Sequence, residues 1–384
     1  MANTLDGLYP VLYDALDTIS RELVGFIPAV SRDTDAAQAA KDQTVRSPIV
    51  PTISGEDITP GESPADSGDQ NIGYVDITIS KSRAFPVRWN GEEQVSIRTS
   101  GQMQDIMRRQ FTQALRAAVN EVEADIAALY VRASRAYGTA GTAPFGTAND
   151  FSDFAQIRKI LEDNGAPMSD LQLVLGSAAA ANLRSKFTNL LAVSEAGTDE
   201  MLRRGALGQV EGLLLRQSAG VKTHSAGAGA NYDVDLGGGY SVGDTDIHVD
   251  TGTGAILAGD VIEFSGHEDK YVVATGATGG GDQDITLAAP GLVSSVANDE
   301  DVTLSANYAA NMAFDRGAIV LATRAPAMPE GGDEADDVTT ITDPVTGLSF
   351  QVAAYRQYRQ VKYEVGLAWG VQLVKPEHAA ILLG

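Results

Sequence analysis

The chain has 384 residues, with 28 Lys and Arg against 51 Asp and Glu for a formal net charge of −23, and it contains no cysteine. That length supports two or three domains and a substantial core. The missing cysteine excludes disulfides, thiolate metal sites and cysteine nucleophiles, and the acidic balance argues against gripping a phosphate backbone, which needs clustered Lys and Arg.

Met1 to Pro10 holds no Lys or Arg and no sustained apolar run, so no signal peptide is expected. No stretch approaches the ~18 apolar residues needed to span a bilayer, and a soluble protein with no membrane partner is expected. Leu5–Leu23 has helical spacing at Leu8, Leu12, Leu16, Ile19 and Leu23, and Phe26–Val30 is a short apolar tail broken at Pro28. From Ser31 to Gly73 the chain is polar, with Pro48, Pro51, Pro60 and Pro64 among scattered acids and glycines. Such a segment cannot bury enough to fold alone. It reads either as a flexible linker or as an arm ordered by a neighbouring molecule.

Tyr74–Ser80 alternates as a strand, Lys81–Arg83 can turn, and Ala84–Trp89 returns, with Pro86 confining it to an edge. An isolated hairpin is marginal in water, so its expected partner is another subunit. Thr99 to Tyr137 then reads as one long helix, roughly 50 Å at 1.5 Å per residue. Phe111, Leu115, Ala118, Val122, Ile126, Leu129 and Ala133 fall on one face. Thr99 with Gln102 forms a capping-box start and Gly138 a stop. Gln113, Asn120 and Arg135 lie on the far side among Ala117, Ala124 and Ala128. On pattern alone this is also the core helix of an ordinary globular protein.

Asp150–Asn164 is an expected helix, Leu171–Leu175 a buried strand, Ser177–Lys186 a helix, Asp199–Arg204 a short helix and Leu213–Leu215 a strand. This alternation is that of an α/β core. Composition changes near Thr223: His224–Gly239 is rich in Gly and Ala, and short β runs follow at Thr245–Val249, Val261–Phe264, Tyr271–Ala274, Ile285–Leu287 and Val302–Leu304. Regular short strands with turns at Gly266–Lys270 and Gly276–Gln283 signal a small inserted all-β barrel or sandwich. Helical and α/β character is expected to return with Phe314–Thr323. After the acidic Glu330–Asp337 loop, strands are expected at Phe350–Ala353, Gln360–Val365 and Val371–Leu373.

Catalytic signals are weak throughout. Gly237–Gly239 and Gly279–Gly281 are not followed by Gly-Lys-Ser/Thr and read as turns. Of the four histidines none pairs at helical metal spacing, and His267-Glu268-Asp269 reads as a solvated turn. Asp244, Asp246 and Asp250 lack the glycine and closing glutamate of a calcium loop. Glu330, Asp333, Glu334, Asp336 and Asp337 read as a repelling, exposed loop rather than a cation site. No enzyme, cofactor or metal site is expected.

A polar arm, a hairpin unable to stand alone, a very long helix and a core with a β insert need a common explanation. In this order they resemble the major capsid (coat) proteins of tailed bacteriophages, a fold shared by encapsulin shells and the floor of herpesvirus capsids. Ile72–Trp89 with Asn90-Gly91-Glu92-Glu93 resembles the family's extended loop, and Gln102–Tyr137 its spine helix. Phe154–Gly176 is similar to its entry into the axial domain. Gly208–Gly212, Asn311–Phe314 and the ending Gly366–Gly370 with Lys375-Pro376-Glu377 also look like it. Met1–Arg32 and the β insert resemble the short-tailed-phage branch.

The resemblance implies an α+β chain of the tailed-phage major capsid fold. Its parts would be an N-terminal arm (1–71), extended-loop hairpin (72–98), spine helix and part of a peripheral domain (99–149) and first axial part (150–222). An inserted small β-barrel (223–310) and a second axial and peripheral part (311–384) would follow. It implies hexamers and pentamers of one icosahedral shell enclosing double-stranded DNA without sequence-specific binding, with a scaffolding protein and portal as partners. The place implied is the virion capsid, assembled in the host cytoplasm. Tyr74, Ile77, Ile79, Phe85, Val87, Trp89, Phe111, Leu115, Val122, Ile126 and, on the insert's loop, Asp282 are the candidate intersubunit contacts. Lys81 lies near the hairpin turn, but no partner is assignable for the lysine–asparagine crosslink of some relatives. An encapsulin-type compartment and a carbohydrate-binding surface protein are the alternatives.

Overall fold

The computed structural model describes residues 9–20, 25–49, 60, 73–100, 103–186, 208–343 and 346–384. The chain opens with α1 (Tyr9–Ser20), followed by β1 (Ser31–Ala39), β2 (Thr44–Ile49), β3 (Gly73–Thr78) and β4 (Lys81–Asn90). Next come α2 (Gly91–Ser100), α3 (Met103–Ala127), β5 (Arg135–Tyr137), α4 (Ser152–Asp163), β6 (Leu171–Leu175) and α5 (Ser177–Lys186). The middle is all strand: β7 (Gln209–Val210), β8 (Leu213–Gln217), β9 (Thr223–His224), β10 (Tyr232–Val234), β11 (Asp246–Asp250), β12 (Val261–Phe264), β13 (Lys270–Thr275), β14 (Gln283–Leu287) and β15 (Asp301–Leu304). The chain closes with β16 (Tyr308–Asp315), β17 (Ile319–Pro326), β18 (Ala335–Thr342), β19 (Ser349–Gln357), β20 (Gln360–Leu373) and β21 (Ala379–Leu383). Helices packed on mainly antiparallel sheets make this an α+β architecture.

The apolar stripe of α3 forms because Phe111, Leu115, Ala118, Val122 and Ile126 recur every four or three residues, and all five are fully buried. They share one core with Leu12 and Leu16 of α1, Val87 and Trp89 of β4, and Trp369 of β20. The α-helix is shorter than its periodicity suggests. It ends at Ala127, tightens into a 3-10 turn over Ala128–Arg132, and gives way at Ala133 to extended backbone. Arg135–Tyr137 leave the helix because two strands compete for them: β5 pairs in parallel with β21 and antiparallel with β13. The capping box is also displaced. Asn90 Oδ1 accepts from Glu93 N (2.8 Å) and Glu93 Oε2 from Asn90 N (3.1 Å), starting α2, within which Thr99 lies.

One sheet runs β1-β17-β20-β19-β18, with β4 added to β20. β20 pairs with β4 along one edge, and along the other with β19 in its first half and β17 in its second. Gln360–Val365 and Val371–Leu373 are thus parts of one 14-residue strand. The hairpin expected at Tyr74–Trp89 does not exist as such: β3 pairs with β2 and β4 with β20. Lys81–Arg83, expected to turn, belong to β4, where Lys81 faces Trp369 across the ladder. The polar stretch after Ser31 supplies β1 and β2, which bring few apolar residues of their own and borrow order through the parallel β1–β17 and antiparallel β2–β3 ladders.

The second sheet contains β7-β8-β6-β16-β21-β5 and continues through β13 into the inserted strands. There β13, β12, β15, β10, β11 and β14 pair in a closed antiparallel ring, since β14 returns to β13. The ring is a six-stranded barrel with its own core, including Tyr232, Phe264 and Tyr271. Phe314–Thr323, expected to bring back a helix, ends β16, makes one 3-10 turn at Arg316–Ala318 and begins β17. Its apolar run Ile319–Ala322 suits a doubly covered strand, and both flanks find partners, β16 with β6 and β21 and β17 with β1 and β20. The short helix expected at Asp199–Arg204 lies outside the described residues.

Candidate interaction surfaces

β2 and β3 form a two-stranded ribbon separate from both large sheets, in register from Thr44↔Thr78 to Ile49↔Gly73. At its root Ile77 and Ile79 are fully buried against Ala39, Ala322 and Ala368. The approach there is so close that a Cβ on Gly370 of β20 would lie 2.0 Å from Thr78 O, so only glycine fits. Farther out the support ends. Tyr74 is 61% exposed, and the Arg46–Asp76 ion pair, at 3.1 Å, is exposed on both sides. Residues 50–72 connect the strands and carry five acids and no base.

β4 lies between β20 and α3. Lys81 Nζ sits 2.8 Å from Asp125 Oδ1 of α3 and 5.7 Å from the centre of the Trp369 ring, and Trp369 Nε1 donates to Asp125 Oδ2 at 2.9 Å. This pins the start of the strand to the helix. Farther along, the middle of β4 and the first half of α3 line an open groove of about 500 Å³, with Phe85, Val87, Ile106 and Ala114 as apolar and Arg88 and Arg109 as basic lining residues.

Eight of the eleven candidate contacts are covered by the chain's own residues: Ile77, Ile79, Val87, Trp89, Phe111, Leu115, Val122 and Ile126 are all buried. The surface is left to Tyr74, to Phe85 in the groove and to Asp282 on the barrel. Periodicity shows which side of an element is apolar, not whose surface covers it. Two prominent exposed side chains escaped the sequence reading, Tyr358 (91% exposed) and Val95 (67%). Tyr358 occupies the β19–β20 turn, which meets the start of α2 through Gly91 N donating to Arg359 O at 3.0 Å. A large aromatic where turn chemistry asks for a small polar residue was the available signal.

The arm is held by Glu123 of α3, an almost fully buried carboxylate. Its Oε1 accepts from Gly25 N and Phe26 N (both 2.7 Å) and from Ser218 Oγ (2.7 Å), and its Oε2 from Ile27 N (3.0 Å). A Cβ on residue 25 would come within 2.8 Å of Gln217 O, so glycine is required there. The signal in the sequence is an acid beside Val122 and Ile126 on the buried side of an amphipathic helix.

The barrel meets the end of α3 through a buried polar chain. Tyr130 Oη lies 2.8 Å from His224 Nδ1, and His224 Nε2 lies 2.7 Å from Asp260 Oδ1. Asp260 also accepts from Gly227 N and Leu257 N, so its carboxylate is satisfied from several directions. Among the described residues no group of three or more acidic or histidine side chains is arranged to hold a metal ion, and no helix is long and apolar enough to cross a membrane.

No protein-family model matches the chain, and no curated protein matches it. Among solved structures it is similar to a chain of the bacteriophage PhiM1 mature capsid (11% identity, 94% of this chain and 86% of that one, TM-score 0.45). It is also similar to a chain of Mycobacterium phage Che8 (13%, 90% and 85%, TM-score 0.43). The virus-like particle of Pyrococcus furiosus is a further neighbour (9%, 97% and 97%, TM-score 0.40). The neighbours are mostly phage capsids.

Proposed function

We propose that this chain is a capsid shell protein that assembles with copies of itself into the hexamers and pentamers of an icosahedral shell. What supports the reading above all is the β2–β3 ribbon: a two-stranded structure with an exposed tyrosine, attached, among the described residues, to the body of its own molecule at the root. Two strands alone are marginal in water, so the outer ribbon and its connecting residues 50–72 call for a second surface. The groove between β4 and α3 offers one of matching character on a neighbouring copy, lined by apolar residues and by basic ones where residues 50–72 are acidic. A closed ring of such exchanges is how identical subunits satisfy one another without free edges.

The shell would enclose double-stranded DNA as a container. A net charge of −23 suits a wall that confines a polyanion without capturing it, and it sets copies against one another unless salt or divalent ions screen them. A scaffolding protein and a portal are the further partners of this reading, and its place is the virion, assembled in the host cytoplasm.

The test is the size of the purified full chain, alone and with its scaffold, by light scattering and negative-stain microscopy. Capsomers or shells of megadalton mass are expected, lost when residues 50–72 are replaced by a short turn while the subunit stays folded. A compact monomer under all these conditions overturns the reading.

A further inference from the structure

The barrel carries a charged cluster around Asp282 that its core packing does not use. His248 of β11 stands opposite Asp284 of β14 in the ladder. Its Nδ1 lies 2.6 Å from Asp284 Oδ1 and its Nε2 2.6 Å from Asp282 Oδ1. Asp235, just beyond β10, is 4.0 Å from Nε2. Ionised carboxylates only accept hydrogen bonds, and a neutral imidazole has a single N–H to give. Both contacts hold together only when each ring nitrogen bears a proton.

Among the described residues no lysine or arginine is paired with these carboxylates. Residues 223–310 contain fourteen Asp and Glu against one basic residue, Lys270, which pairs with Glu263 at 3.6 Å. That is a formal −13 of the chain's −23 in one small domain. Asp233, Asp250 and Asp299 extend the same acidic face, and the Tyr240 hydroxyl accepts from His248 N at 2.7 Å. The Asp284 hydrogen bond, then the Asp282, Asp284 and Asp235 charges, raise the imidazole's proton affinity against a lowering by burial.

We propose that His248 is a proton-operated clasp that, when charged, holds Asp282 of the 276–283 loop and Asp284 of β14 on the barrel, and that releases Asp282 when it loses its proton. The release is local, because Ala277 N still donates to Ile256 O (2.8 Å) and Gly281 N to Gly252 O (2.7 Å). A proton therefore decides whether the Asp282 carboxylate is neutralised in place or presented, with Asp235, as bare negative charge to whatever approaches the barrel. The clasp is a property of the unassembled chain and does not depend on the shell reading.

The full chain labelled with 15N-histidine tests it, since there are only four histidines and His248→Gln assigns the signal. At pH 6.5 both ring nitrogens of His248 should be protonated, and the midpoint should lie above that of free histidine. Asp284→Asn, which removes the hydrogen bond that raises it most, should lower that midpoint. Amide exchange in a peptide covering residues 281–284, corrected for intrinsic rate, should rise severalfold as His248 deprotonates and should not respond to pH in His248→Gln. A single-tautomer ring at pH 6.5, or the same pH response in His248→Gln, overturns the proposal.

Discussion

The barrel and the β2–β3 ribbon are both small antiparallel structures joined to one core, and they treat their edges in opposite ways. Six barrel strands return on themselves, so every strand has two neighbours and the enclosed aromatics, Tyr232, Phe264 and Tyr271, need nothing from outside. The ribbon has two strands, buries Ile77 and Ile79 at its root, and leaves Tyr74 in solvent. Similar residue types thus yield a self-sufficient domain in one place and an unfinished one in the other. Closure of the hydrogen-bond ring, more than hydrophobic content, separates them.

The largest effect that sharpens this contrast is expected in the barrel. Phe264→Ala removes a fully buried ring and should cost about 4 kcal/mol. Both tryptophans, Trp89 and Trp369, sit in the main core. Calorimetry should therefore show an early barrel transition to which tryptophan fluorescence is blind. One transition seen equally by both would mean that the barrel is not self-sufficient.

On the arm side, Glu123→Ala leaves three backbone N–H groups and Ser218 without their acceptor. A loss of about 3 kcal/mol is expected, with the fluorescence transition falling and limited proteolysis cutting before β1. Arm protection equal to that of the parent protein would show that packing of α1 alone holds it.

The two regions should also respond oppositely to pH. Burial lowers the proton affinity of His378, which lies in the main body between β20 and β21. A lowered histidine favours the folded state above its unfolded value near 6.5, and that contribution fades as pH falls below it. His248 is shifted upward, so its contribution is complete below about 6.5 and is lost as pH rises through its folded value. Mild acid should weaken the fluorescence transition and mild alkali the barrel transition, each reduced by replacing the corresponding histidine. The smallest effect on the subunit is expected at Tyr74→Ser, within about 0.5 kcal/mol in monomer stability. Assembly, followed by light scattering, should nevertheless fail.

Much of this arrangement was legible beforehand, for identifiable reasons. Leu171–Leu175 and Val261–Phe264 carry apolar runs bounded by turn residues, and both form strands with those limits. The α3 stripe follows from spacing alone. Pairing was not legible: Tyr74–Ser80 was recognisable as a strand, but nothing in its residues says that Thr44–Ile49 rather than Ala84–Trp89 would be its partner. The same limit explains Arg135–Tyr137, helical by pattern but drawn into a sheet by β21 and β13, and Phe111, apolar by pattern but covered by its own molecule, with Tyr363 5.6 Å away edge-on. Glu123 and His248 became significant only when distant residues gathered round them, at separations of 95 to 98 for the Glu123 bonds and 36 for His248 to Asp284.

By itself the sequence determined what each segment could be: which faces are apolar, where glycine and proline break the chain, where the insert begins, and that the insert carries more than half of the net negative charge. These follow from side-chain chemistry and from the 3.6- and two-residue repeats, which are local properties. Only the tertiary structure decided who pairs with whom, which apolar faces are covered at home, and which carboxylates share one imidazole. Those outcomes depend on contacts between residues far apart in the chain, where backbone closure and burial outweigh local preference.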